Sequence, residues 1–131
     1  MQQRIGFIGA GLMGHGAAKF ILKAGYALTV IANRNRAPID DLVSRGATEA
    51  LSVRELTAAS DIVFLCLPDA PRVQDTIHKT DGLLAGAHDG LIVLDMTTSL
   101  PEVTRDLAEQ LSAHGVTFVD APMTRTPIEA E

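Results

Sequence analysis

Directly after an apolar run, Ile5-Gly6-Phe7-Ile8, the chain reads Gly9-Ala10-Gly11-Leu12-Met13-Gly14, three glycines in the G-x-G-x-x-G phase. That pattern is specific only where a strand precedes it and a helix follows. In that setting Gly9 permits a tight turn, Gly11 lets backbone N–H groups approach a pyrophosphate, and Gly14 lets the helix lie close on the strand. The anion sits at the positive end of that helix. The chemistry indicated is dinucleotide binding by backbone dipoles, with residues 9 to 14 as the phosphate loop.

A second position decides which dinucleotide. In the common NAD pattern a carboxylate about 20 residues past the glycines accepts a hydrogen bond from the ribose 2′-hydroxyl. Here the equivalent stretch is Ala32-Asn33-Arg34-Asn35-Arg36, which contains no acid. Asn33 can donate to a phosphate, Arg34 offers a planar guanidinium for paired hydrogen bonds with a 2′-phosphate, and Arg36 adds positive charge beside it. The expected cofactor is NADP rather than NAD.

The other reactive side chains give less. His15, His78, His88 and His114 have neither metal-ligand spacing nor an identifiable partner in the sequence, and only His15 is near the loop. Lys19, Lys23 and Lys79 fall on helical segments and read as solvated charges. Asp95 and Asp120 each close a strand, which alone is thin ground for acid–base work. No catalytic residue and no metal site is assigned.

The elements that must position the loop are legible as periodicity. Besides Ile5-Gly6-Phe7-Ile8, apolar runs occur at Leu28-Thr29-Val30-Ile31-Ala32, Ile62-Val63-Phe64-Leu65-Cys66-Leu67, Leu91-Ile92-Val93-Leu94 and Val116-Thr117-Phe118-Val119. Near-continuous apolarity predicts strands covered on both faces, as in a parallel sheet. Between them, a helix over about 12 to 24 should bury Met13, Ala17, Phe20, Ile21 and Ala24 and stop at Gly25. Pro38 opens a second, with Ile39, Leu42 and Val43 on one face and Gly46 at its end. Ser52-x-x-Glu55 and Ser99-x-x-Glu102 have capping-box spacing, the latter opening a helix with Val103, Leu107 and Leu111 inward and Gly115 after it. A weaker helical pattern covers about 70 to 78. Alternation of strand and helix predicts an α/β, doubly wound, mainly parallel sheet of the Rossmann type, with ligands beyond the carboxyl ends of the strands.

Composition sets the outer bounds. The chain has 131 residues, and 11 Lys and Arg against 16 Asp and Glu leave a formal charge of −5. Such a surface does not draw nucleic acid or an anionic membrane. No run approaches the roughly 20 apolar residues needed to span a bilayer, and Met1-Gln2-Gln3-Arg4 lacks a signal-peptide layout. One cysteine, Cys66, excludes an internal disulfide framework and suits a reducing cytoplasm.

Further stretches carry a family resemblance. Gly6 through Gly14, then Leu22-Lys23-Ala24-Gly25-Tyr26, Asn33-Arg34, Cys66-Leu67-Pro68, Asp95-Met96-Thr97-Thr98-Ser99-Leu100-Pro101 and Val119-Asp120-Ala121-Pro122 occur in order along nearly the whole chain. In this the chain resembles the amino-terminal domain of the β-hydroxyacid dehydrogenases, the 3-hydroxyisobutyrate dehydrogenase and 6-phosphogluconate dehydrogenase-like family. The resemblance implies cofactor contacts from Gly9, Ala10, Gly11, Leu12, Met13, Gly14, Asn33, Arg34, Leu67, Pro68 and Thr98. It implies an oxidoreductase interconverting a small semialdehyde and a 3-hydroxyacid, with a carboxylate-bearing substrate and a homodimer or tetramer at full length.

Departures matter as well. After Asp-Ala-Pro the family has a hydrophobic residue and Ser-Gly-Gly, where this chain reads Met123-Thr124-Arg125-Thr126. Thr124 keeps a hydroxyl for the substrate, whereas Arg125 either pairs with a carboxylate or points to solvent. The family's catalytic lysine belongs to an all-helical second domain, and this chain has no matching G-x-x-x-N-x-x-K stretch. The expectation is a dinucleotide-binding domain over 1–122, with 123–131 as the start of an interdomain segment, inactive by itself. An imine reductase resembles the same region, and a non-catalytic dinucleotide-binding module is the third reading.

Overall fold

The computed structural model describes residues 3–10, 14–32, 36–97 and 100–121. Strands and helices alternate: β1 (Arg4–Ile8), α1 (Gly14–Lys23), β2 (Ala27–Ile31), α2 (Ala37–Ser44), β3 (Thr48–Ala50), α3 (Val53–Ala58), β4 (Ile62–Leu65), α4 (Ala70–His78), α5 (Leu83–Gly86), β5 (Ile92–Asp95), α6 (Pro101–Ser112) and β6 (Thr117–Asp120). The strands pair in parallel as β3-β2-β1-β4-β5-β6. This is the expected doubly wound sheet, with the chain reversing its direction of travel between β1 and β4.

Local chemistry accounts for the helix ends. Ser52 Oγ accepts from Glu55 N–H at 3.0 Å, and Asp69 caps α4 by accepting from Arg72 N–H at 3.1 Å. Gly25, Gly46 and Gly115, the expected stop residues, all have positive φ. At α6 the expectation fails: Leu100 occupies the cap position with no side-chain cap, and Pro101 opens the helix. Proline favours the first helical position and holds the residue before it extended, so the start lies one residue beyond Ser99, which is outside the described residues.

Two apolar clusters sandwich the sheet. One joins Val63, Leu65 and Val93 to Leu56, Ile77, Leu83, Leu107 and Leu111 of the helices following β3 to β5. The other joins Ile5, Phe7, Leu28 and Val30 to Ala18, Ile39 and Leu42 beneath α1 and α2. Phe20, expected inside, is 52% exposed, because α1 turns its small residues Gly14 and Ala18 to the sheet. Val43 and Ala24 are likewise exposed.

Coverage on both faces holds for β1 but not across the whole sheet. The register places Phe7, Phe64, Leu94 and Val119 in one row, and exposure rises along it from fully buried Phe7 through half-buried Phe64 and Leu94 to exposed Val119. On that face α1 and α2 cover only the β1–β3 half. The sequence reading also missed β3, three residues long at the sheet edge, and the single-turn α5.

Candidate functional site

The reversal between β1 and β4 opens a crevice at the carboxyl ends of these strands, the position where doubly wound sheets hold ligands. Gly9 leaves β1 there with φ +89°, and a Cβ on it would run into the Cys66 carbonyl. The approach is fixed by Cys66 N–H donating to the Ile8 carbonyl at 2.9 Å. Gly14 opens α1 packed on the Gly9 carbonyl and the Phe7 ring, so a side chain at 14 would push the helix end off the strand. Phe7 in turn stacks on Phe64, with ring centroids 5.6 Å apart.

Gly9 and Gly14 thus bring the end of β1 into close contact with the amino end of a ten-residue helix, the end at which helices favour anions. Ala10 is buried in the core at 2% exposure. Leu67 is half-buried and Pro68 exposed at the end of β4, on the rim of the same crevice. Gly11, Leu12, Met13, Asn33, Arg34, Thr98, Thr124 and Arg125 lie outside the described residues.

Behind the rim stands Asp95, only 1% exposed. It accepts from Thr97 N–H at 2.9 Å, while Thr97 Oγ1 accepts from Leu67 N–H at 2.9 Å. Burial raises the Asp95 carboxyl above its ordinary range, the Thr97 hydrogen bonds oppose this, and the charge of Asp120 adds to it. Burial, with the nearby Asp95 charge, also raises the Cys66 thiol, which disfavours the nucleophilic thiolate.

Two readings of charged residues are corrected by the fold. His15 does have a partner: its Nε2 lies 2.7 Å from Asp41 Oδ2, and Arg45 Nε donates to the same oxygen at 2.9 Å. The two hydrogen bonds, Arg45 first, hold the Asp41 carboxyl below its ordinary value. His88 also has a partner, with Nε2 2.8 Å from the Ser60 carbonyl. Arg36 is not an uncommitted cation beside the ribose position, since its Nη2 donates to Glu49 Oε1 at 2.8 Å and lies 3.4 Å from Asp40 Oδ1. The register that seats Glu49 opposite Val30 brings this carboxylate to the end of β2, where the local sequence has none.

Among the described residues no group of His, Cys, Asp and Glu could hold a metal ion, and no helix is long and apolar enough to cross a membrane. A groove lined by Lys19, Phe20, Leu22, Lys23 and Arg45 lies at the carboxyl ends of α1 and α2, away from the crevice.

Fold and crevice together define a nucleotide-binding α/β domain. The chain matches the family described as the NAD binding domain of 6-phosphogluconate dehydrogenase over residues 4–131, and it belongs to that family. It is 34% identical over 128 residues to 2-hydroxy-3-oxopropionate reductase of Escherichia coli K12, covering 97% of this chain and 43% of the relative. It is also 34% identical over 122 residues to the cytokine-like nuclear factor N-PAC of Xenopus tropicalis, covering 93% of this chain and 23% of that protein. Among solved structures, a reductive aminase from Aspergillus terreus in complex with NADPH and ethyl-5-oxohexanoate superposes with a TM-score of 0.81 at 32% identity, covering 98% of this chain and 43% of the other. The chain thus spans less than half the length of these proteins.

Proposed function

We propose that this chain is the NADP-binding portion of an oxidoreductase that reduces a small carboxylate-bearing semialdehyde or oxidises the corresponding 3-hydroxyacid. The observation that carries the reading is the crossing of Gly9 against Cys66 directly ahead of α1, a cradle that only a glycine permits and that suits a pyrophosphate. Similarity to 2-hydroxy-3-oxopropionate reductase over 97% of the chain supports the substrate class, since that compound is itself a carboxylate-bearing semialdehyde.

In this reading residues 9 to 14 hold the pyrophosphate, and Asn33 and Arg34 hold the 2′-phosphate. Leu67, Pro68 and Thr98 flank the nicotinamide, while Thr124 and Arg125 face the substrate carboxylate. The cofactor supplies the hydride. Residues 1–122 form the binding domain and 123–131 lead from it. None of residues 1–131 is assigned as the proton donor, and these residues alone turn over little or nothing. The setting is a reducing cytoplasm, in keeping with the lone Cys66, and the full-length protein is a homodimer or tetramer.

The similarity to the nuclear factor favours a second reading, a dinucleotide-binding module without catalysis, and the reductive aminase keeps imine reduction as a variant of the first. Titration with NADPH tests the shared step. Arg34→Ala is expected to weaken binding by about tenfold or more, the worth of a charge-assisted hydrogen bond. Unchanged affinity would overturn the assignment of the 2′-phosphate to Arg34.

A further inference from the structure

The site-side ends of β4 and β5 are joined by more than backbone. Met96 N–H donates to the Leu65 carbonyl at 2.7 Å, continuing the ladder. The next donor on the neighbouring strand, Leu67 N–H, goes to a side chain, Thr97 Oγ1 at 2.9 Å. Thr97 is 2% exposed. Thr97 in turn donates its own N–H to Asp95 Oδ1 at 2.9 Å, so Asp95, Thr97 and Leu67 form one chain of hydrogen bonds across the two strand ends.

A buried carboxylate is a costly way to hold a turn. Its distinction is that, when ionised, it can only accept. It therefore takes the Thr97 N–H and closes the turn that seats the Thr97 hydroxyl against Leu67 N–H. An amide at position 95 brings donors of its own into a buried turn that calls for an acceptor.

We propose that Asp95 is a positioning residue: acting through Thr97, it fixes the backbone of Leu67 and Pro68 and so sets the wall against which the nicotinamide half of the dinucleotide rests. This inference rests on the dinucleotide reading above. It assigns a role to a carboxylate that the hydride chemistry does not use, and it explains why an apolar strand ends in a buried charge.

The test is calorimetric titration of the 131-residue chain with NADPH and with 2′-phospho-ADP-ribose, which lacks the nicotinamide. Thr97→Val and Asp95→Asn should weaken NADPH by about tenfold, the equivalent of one lost hydrogen bond, and leave the truncated ligand nearly unaffected. Thr97→Ser, which restores the hydroxyl, should bind both as the original chain does. A purely structural role would lower the melting temperature without changing the ratio of the two affinities. An unchanged ratio in Thr97→Val, or in Asp95→Asn should the valine variant not fold, overturns the proposal. If the original chain binds neither ligand, the dinucleotide reading itself has failed, which is a distinct result.

Discussion

Replacing Gly9 by alanine isolates the feature on which the cradle depends, because the chain contains a natural control. Gly9 and Gly90 have nearly the same φ, +89° and +87°, but a Cβ at 9 meets the Cys66 carbonyl and one at 90 meets nothing within 4 Å. Both alanines incur the left-handed strain of an L-residue, about 1–2 kcal/mol. Only Gly9→Ala must also separate two backbones at the centre of the sheet, and overpacking of that kind costs about 1–3 kcal/mol more. Urea unfolding of the two variants should therefore differ by about 1–3 kcal/mol, with Gly9→Ala the less stable. NADPH titration should follow the same order: Gly90→Ala binds as the original chain does, while Gly9→Ala loses about tenfold or more as the loop shifts. Equal destabilisation, together with unchanged NADPH affinity in Gly9→Ala, would refute the reasoning.

Two further outcomes are expected. Arg36→Ala should leave NADPH affinity nearly unchanged, unlike Arg34→Ala, because Glu49 and Asp40 already engage the Arg36 guanidinium; a loss as large as that of Arg34→Ala in the same titration would contradict this. At the opposite end of the sheet, Arg4 donates to Asp61 from its backbone N–H at 2.8 Å and from its guanidinium at 3.0 Å, holding the Asp61 carboxyl down at about 2. A depressed folded-state value means the stabilisation is complete above the usual carboxylate value of about 3.9 and is lost as pH falls toward about 2. The melting-temperature gap between the original chain and Asp61→Asn should close over that window, and a gap independent of pH would count against the pair.

Much of the scaffold could be read from residue types. Branched apolar runs marked β1, β2, β4, β5 and β6, glycines marked the ends of three helices, and the glycine loop fell at the end of β1 as its spacing required. What escaped depends on register and on crossovers. β3 is only Thr48-Glu49-Ala50, too short to show a period, yet it carries Glu49 to Arg36. His15 and Asp41 are 26 residues apart, and Leu67 and Thr97 are 30 apart. Only the packing of α2 beside α1, and of β5 beside β4, brings those groups together. The apolarity of β6 suggested burial, but the strand lies at the edge of the sheet with Val119 exposed, because no helix of the described residues covers that end of its face.

The central proposal is binding of a 2′-phosphorylated dinucleotide at the β1–β4 crevice. Parallel titrations of the unmodified chain with NADPH and NADH test it most directly. The prediction is saturable binding of NADPH, with NADH weaker by about tenfold or more, as the loss of a charge-assisted contact requires. Equal affinity for the two would contradict the 2′-phosphate assignment, and binding of neither would contradict the account as a whole.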